Sequence, residues 1–413
     1  MLTFNNGREE FRRSQSKKTI SIAFAGDCCP YGTAAETIIN GKSSTILNKI
    51  QPFLDQADVS IIQWETPLTN AQTPITKSGP NLQCPPECIE FIKAGGFDVA
   101  TLANNHTGDS GTEPIIETIE LLKEHGIKNV GAGKDLETAN KPLIFEKKGF
   151  KIGIINIAEH EFGTAEKNKP GCAPLEPLDN IKVISDVSKQ TDITLVIIHG
   201  GNEFNPVPTP RMKRTYRAFA DSEASAVINI HTHCPQGIEI WNGVPIIYCP
   251  GNFFFPANWK EFDISDFWWT GYLPRLEFDK QGAFAIEITP YTFTPSPWGI
   301  EPFTGSKKEN FCNYLAEISS IITDAEESTK FFDAWCAYRG PDILNSIKNT
   351  SATWPIDPQN NKQLATLLTL RNHFTCESHN ELATRFLRLV EGDRLKEAKK
   401  YIPKLNRLQR AEF

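Results

Sequence analysis

The sequence contains no apolar run near the roughly 20 residues that a membrane-spanning helix needs. Its first 18 residues are rich in Arg, Lys, Glu and Ser and lack the apolar core of a secretory leader. Positive charge is not in excess either: 43 Lys and Arg stand against 50 Asp and Glu, a net charge of −7. That balance argues against a broad nucleic-acid or anionic-membrane footprint, although a local cationic metal site can coexist with it. Internal repeats and low-complexity segments are missing. The expected location is the cytoplasm, with no membrane anchor and no nucleic-acid partner, and there the ten cysteines read as thiols. Cys84 and Cys88 bracket Pro-Pro-Glu, but no second pair nearby completes a zinc knot. Gly131-Ala132-Gly133-Lys134 lacks the Walker A spacing and is not a phosphate loop.

What is present is the composition of a globular chain. With 413 residues, 39% apolar and 23% charged, it can bury a sizeable core over two or three domains. Residues 1–18 read as a flexible polar segment. Apolar strands then recur, each ending in polar residues of ligand type. Thr19–Ala25 runs into Gly26-Asp27, and Ala57–Gln63 into Trp64-Glu65. Phe97–Leu102 runs into Asn104-Asn105-His106, Ile193–Ile198 into His199, and Ala226–Ile230 into His231-Thr232-His233. Chemistry carried at the carboxyl ends of buried strands is the pattern of an open α/β sheet.

Helical periodicity lies between the strands, at Glu113–His125 with Gly126 as a cap, at Ile181–Lys189 and at Arg211–Ala224. Pro142–Ala158, Ile238–Tyr248 with its Asn242-Gly243 turn, and Leu276–Thr289 read as hairpins. Strands alternating with helices, together with hairpins, imply two facing mixed sheets covered by helices. After a Pro- and Gly-containing linker at 293–305, residues 306–413 become helical, with Phe311–Ile322, Gln363–Arg371 and Glu381–Tyr401 as candidates. This region is expected to pack over the edge nearest the site, and a homodimer is compatible with it.

Asp27, Glu65, Asn105, His199, His231 and His233 are the candidate metal ligands. On an extended chain the two imidazoles of His231-Thr232-His233 point the same way. Hard oxygens plus imidazoles suit manganese, iron or zinc, and two such ions can activate water for in-line hydrolysis.

At this point the residues carry a family resemblance. Gly26-Asp27, Trp64-Glu65-Thr66-Pro67-Leu68-Thr69 and Ala103-Asn104-Asn105-His106 with Asp109 and Gly111 occur in order. His199-Gly200-Gly201 with Glu203-Phe204, His231-Thr232-His233 with Gln236-Gly237 and Glu239, and Tyr248 with Gly251-Asn252-Phe253 follow. Together they resemble the CapA family, named for capsule and poly-γ-glutamate synthesis, which looks like a branch of the calcineurin-like metallophosphoesterases. The resemblance covers about residues 19–292. It implies a four-layer α/β/β/α sandwich with two divalent metal ions at the strand tips. One ion would sit on Asp27, Glu65 and His233, the other on Glu65, Asn105, His199 and His231. His106 would be the general acid, with Asp109 beside it in the catalytic set. Asn104, Glu203 and Arg211 are the expected contacts to an anionic small-molecule or polymer substrate.

The chain departs from the family pattern at Cys29, where the wider superfamily carries a His; the site holding Asp27 and His233 is therefore expected to bind its ion weakly unless Cys29 supplies a thiolate. The Arg that usually follows Gly-Asp is absent, with Gly32 near its place. His199-Gly200-Gly201 replaces His-Trp-Gly and is expected to open space beside the site. The function implied is a metal-dependent hydrolase acting on a phosphoester or a γ-glutamyl amide. The alternative is a non-catalytic accessory protein of polymer synthesis.

Overall fold

The computed structural model describes residues 2–256, 267–295, 297–410 and 413; Met1, Ser296, Ala411 and Glu412, which belong to the expected terminal and linker segments, lie outside that set, as does 257–266. In chain order the strands are β1 (Arg8–Glu10), β2 (Ile20–Cys28), β3 (Val59–Trp64), β4 (Val99–Thr101), β5 (Lys128–Val130) and β6 (Ala132–Gly133). They continue as β7 (Leu143–Lys147), β8 (Phe150–Ala158), β9 (Gly171–Cys172), β10 (Ile193–His199), β11 (Ala226–Ile230) and β12 (Ile238–Trp241). The last are β13 (Val244–Ile247), β14 (Asn252–Phe254), β15 (Thr270–Asp279), β16 (Gly282–Thr294) and β17 (Gly299–Pro302).

One large sheet has the order β1-β16-β15-β2-β3-β4-β5, with β14 beside β2 and β17 beside β16. The other runs β12-β13-β11-β10-β8-β7, and β6 pairs with β9 in a small ribbon. Within each large sheet the central strands are parallel, from β2 to β5 and from β8 through β10 and β11 to β13. The expected hairpins supply antiparallel neighbours; β7–β8 turns at Lys148 and Gly149, and β12–β13 at Asn242 and Gly243, all with positive φ.

The apolar alternation along each strand decides the layers. Ile22, Phe24, Val59 and Ile61 of the first sheet meet Ile152, Ile154, Leu195 and Ile197 of the second in one buried cluster. Each such side chain contributes about 1.5–3 kcal/mol when fully buried. The outer face of the first sheet packs on the helices between Thr33 and Glu124. The outer face of the second packs on Pro177–Ser188, Pro210–Asp221 and most of the C-terminal helices. The result is the expected α/β/β/α sandwich with a helical C-terminal region.

Two expectations need correction, and one helix lies outside the expected ones. The N-terminal segment is not free: β1 pairs antiparallel with β16, Phe4 is buried, and Arg12 is held by Asp279. Its charged residues are those of an edge strand, which masks the hydrophobic alternation of a central one. The linker is also part of the sheet, because Gly299–Pro302 pairs with β16 beyond Tyr291. The helical region contains Ala325–Thr353, a 29-residue helix that runs through Gly340-Pro341. Gly340 is there for contact: a Cβ would lie 2.2 Å from the Phe386 ring of the neighbouring helix.

Candidate metal centre

The parallel strands deliver their ends to one place between the sheets. Asp27 lies next to the last residue of β2, His199 ends β10, and Glu65 directly follows β3. The β2–β3 register shifts between Ala25 and Asp27, which re-aims the Asp27 side chain. Gly26 is required at that shift, since a Cβ would fall 1.8 Å from the Gly251 carbonyl oxygen. The His231-Thr232-His233 stretch is not extended. His231 has φ 113° and His233 φ 53°, so a strained loop after β11 presents both rings.

All six expected ligands are buried and close together. Glu65 is common to two groups of potential donors, each lying within 4.8 Å: Asp27, Glu65 and His199, and Glu65, His231 and His233. The two groups share Glu65 and overlap, so they do not by themselves divide the histidines between two ions: His233 lies nearer Asp27 than His199 does, and the His231 ring is nearer His199 than His233. Individual separations are 3.4 Å from His199 Nε2 to Glu65 Oε1 and 3.4 Å from His233 Nδ1 to Asp27 Oδ2. His199 Nε2 lies 2.9 Å from Asn105 Oδ1, which brings the amide into the cluster. His233 Nδ1 is also 2.8 Å from Asn252 Oδ1, leaving Nε2 facing Glu65 at 3.9 Å.

The donor set fits divalent cations on two counts. Among the described residues, Asp27 Oδ1, both Glu65 carboxylate oxygens, His199 Nδ1 and His231 Nδ1 are buried with no hydrogen-bond partner. Orphaned groups of that kind are costly unless a ligand satisfies them. The charge balance points the same way. Burial, then the Asp27 charge, pushes the Glu65 carboxyl well above its ordinary range, and burial raises Asp27 although His233 and His231 oppose it. Burial and the neighbouring imidazoles hold His199 well below its usual value, in the neutral form that binds metal. Asp27, Glu65, Asn105, His199, His231 and His233 would hold the ions.

Beside this cluster, His106 Nδ1 is 2.6 Å from Asp109 Oδ2, and Lys77 Nζ is 2.5 Å from Asp109 Oδ1 and 3.2 Å from His106 Nδ1. Nδ1 cannot donate to Asp109 and accept from Lys77 at once; the shorter contact assigns the proton to Nδ1, leaving Nε2 as the ring's working atom. Burial and Lys77 lower the His106 pKa, with Asp109 opposing them. Asp109 is fully buried, also accepts the Leu82 N–H, and positions His106 without touching the pocket. Asn104 donates to the Trp64 and Leu102 carbonyls and accepts from the His106 N–H, which holds the turn together, and it does not line the cavity.

Glu203 stands exposed on the pocket wall. Arg211 does not reach the pocket. Thr209 caps its helix, and its guanidinium is taken up by Glu159, Glu381 and Ser378. The Gly200-Gly201 pair opens no space: a Cβ on Gly200 would lie 2.6 Å from Glu159 Cγ, so Glu159 fills the gap. In a third donor group, Glu159, Cys376 and Glu377, the carboxylates already have partners: burial raises the Glu159 pKa, but Arg211, Ser378 and His231 together hold it below its usual value, and Glu377 pairs with His160. Cys29 is buried and falls in none of these donor groups. Cys84 and Cys88 bond the Pro30 carbonyl instead.

A cavity of about 260 Å³ opens over Asn105 and His106. Its outer wall comes from the C-terminal helices Ala325–Thr353, Asn361–Thr375 and Glu377–Glu391, through Trp335, Asn372 and His379 among others. Lys77, Glu161 and Asn372 were missed as site residues by sequence reasoning; each is a lone polar residue outside the strand-tip pattern. Glu161 lies 3.6 Å from His231 Nε2 and accepts from Asn372 Nδ2. Asn252 could have been found, because it stands in the Tyr248-to-Phe253 motif.

Fold and site together define a two-sheet α/β protein with a candidate dinuclear metal centre at its strand tips. The chain belongs to the family described as "Bacterial capsule synthesis protein PGA_cap", whose sequence profile matches residues 21–257. It is 29% identical over 330 residues to the PGA biosynthesis protein CapA of Bacillus subtilis (strain 168), covering 78% of this chain and 84% of that protein. To the capsule biosynthesis protein CapA of Bacillus anthracis it is 25% identical over 256 residues, covering 60% and 62%. Among solved structures, a 5'-nucleotidase precursor from Thermus thermophilus aligns with a TM-score of 0.41 at 12% identity, over 73% of this chain and 58% of that one. No helix among the described residues is long and apolar enough to cross a membrane.

Proposed function

We propose that this chain is a metal-dependent hydrolase of phosphoester bonds, with a γ-glutamyl amide as the less favoured substrate bond, working in capsule or poly-γ-glutamate-type polymer synthesis. One observation carries the reading: buried, unpartnered carboxylate and imidazole atoms converge beside a histidine already oriented for proton transfer. Two divalent ions bound there, manganese, iron or zinc, would supply the Lewis-acid charge that activates water and offsets charge on the phosphoryl oxygens. The protein's own part is to position. Asp27, Glu65 and the three histidines hold a compact polar floor, and Asn105 ties it to the pocket. Asp109 fixes His106 so that Nε2 faces the substrate and passes a proton to the leaving oxygen; a bound anion favours the protonated imidazole that this step needs.

The link to polymer synthesis rests on the names of the relatives. Two Mycobacterium tuberculosis proteins, 27% identical over 205 residues, are called probable polyglutamine synthesis accessory proteins, which keeps an accessory role as the competing reading. Metal content of protein purified without chelator, together with p-nitrophenyl phosphate turnover in manganese, separates the two. Bound metal with turnover that falls at least about 100-fold in His106→Ala supports the hydrolase. Less than one transition metal per chain and no turnover after adding manganese would sink it.

A further inference from the structure

Among the described residues, four that line the cavity, Asn202, Trp335, Asn372 and His373, carry a buried polar side-chain atom with no hydrogen-bond partner. Asn202 and Asn372 both line it, and both are more than nine-tenths buried. Among the described residues, the Oδ1 atom of each is buried without a partner, as is His373 Nδ1 on the same wall.

The orientation of the two amides is set by their other ends. Asn202 Nδ2 donates to the Ser378 carbonyl at 3.2 Å, and Asn372 Nδ2 donates to Glu161 Oε2 at 3.2 Å. Flipping either amide would press one acceptor oxygen against another, so Oδ1 must be the atom left over. The cations of this wall are engaged as well: Lys77 pairs with Asp109 at 2.5 Å and Arg339 with Asp342 at 3.4 Å. Glu161 and Glu203 add further acceptor oxygens.

We infer that this wall is a specificity subsite for an N–H-donating group, a carboxamide or an amine, carried by the substrate on its leaving-group side, with Asn202 and Asn372 as the residues that read it. The inference rests on the hydrolase reading for where the reacting bond lies, and names the substrate class that reading leaves open. The energetic reason is asymmetry. A buried acceptor left unpaired penalises a ligand that lacks the donor more strongly than the added bond rewards one that has it.

The test uses manganese-loaded full-length protein and non-hydrolysable phosphonates in matched pairs. 3-Phosphonopropanamide is compared with 3-oxobutylphosphonate, which replaces the NH2 by CH3, and 3-aminopropylphosphonate with butylphosphonate. Calorimetry should show the donor-bearing member of at least one pair binding about tenfold tighter or more, and the pair that shows it identifies amide or amine. In Asn202→Ala and Asn372→Ala that ratio should fall toward one. Ratios within twofold for both pairs, or no binding by any probe, overturn the inference and leave these oxygens to water. A ratio unchanged in both variants overturns the assignment to these residues. Hydrolysis of plain p-nitrophenyl phosphate, measured beside this, tests the hydrolase reading alone, so the two can fail separately.

Discussion

Replacing Arg211 by Met should damage the docking of the C-terminal helices and leave the chemistry of the pocket to others. Arg211 joins Glu159, whose side chain is 2% exposed, to Glu381 at 3.3 Å and to Ser378 Oγ at 2.8 Å. Glu381 and Ser378 belong to the helix Glu377–Glu391. The methionine keeps the aliphatic packing but leaves two carboxylates without their cation. Removing one partner of a buried ion pair costs about 3–5 kcal/mol. For a chain of 413 residues unfolding as one unit, at ~2.1 cal/mol/K per residue, that is a drop of roughly 3–6 °C in Tm. Thermal unfolding measures the loss, and hydrogen exchange should place it in residues 377–391. Adding Glu159→Gln should restore part of it, because the more deeply buried of the two carboxylates then carries no charge. A loss below about 0.5 kcal/mol with unchanged exchange, accompanied by a raised KM, would refute the docking role and return Arg211 to the substrate.

Glu65→Gln should stabilise chelator-treated protein by about 1–3 kcal/mol, since it removes one of two adjacent buried carboxylates, while abolishing the Tm rise that manganese gives the parent. An unchanged or lower Tm in EDTA would contradict the charge argument. His160 is raised above its ordinary pKa by its hydrogen bond to Glu377, against partial burial and helped by the charges of Glu377, Glu176 and Glu159. Its stabilisation is complete below the unfolded value of ~6.5 and is lost as pH rises through the higher folded value. The stability gap between parent and His160→Gln, about 1 kcal/mol at pH 6, should therefore narrow by pH 9 in urea titrations. Asp279→Ala should cost about 2–4 kcal/mol by urea unfolding, because Arg12, Ser14 and the Gln15 and Gln281 amides all donate to that carboxylate.

The sheet architecture and the convergence of the candidate donors were legible because both rest on local patterns. An apolar strand that ends in Asp27, His199 or Asn105 advertises its tip, and a turn such as Asn242-Gly243 advertises its hairpin. What was not legible depends on distance in sequence. Lys77 meets His106 and Asp109 only because the loop after β3 folds back over the turn after β4. Glu159 and Glu161 look like ordinary surface acids at the end of β8 until the C-terminal helices cover them. Arg8–Glu10 carries no hydrophobic signal, since an edge strand needs only its backbone to pair with β16. Ala325–Thr353 was absent from the expected helices, and its close packing against Phe386 at Gly340 is again a contact between residues far apart in sequence.

The pocket wall has a consequence for how the chain comes into being. The residues that would grip the ions are all made by His233, but Trp335, Asn372 and His379 leave the ribosome more than 100 residues later. Chains fold from the N-terminus as they are synthesised. A nascent chain can thus assemble its floor of ligands while the space above it is still open to any solute. The helical wall over the ligands is the last part of the site to be made.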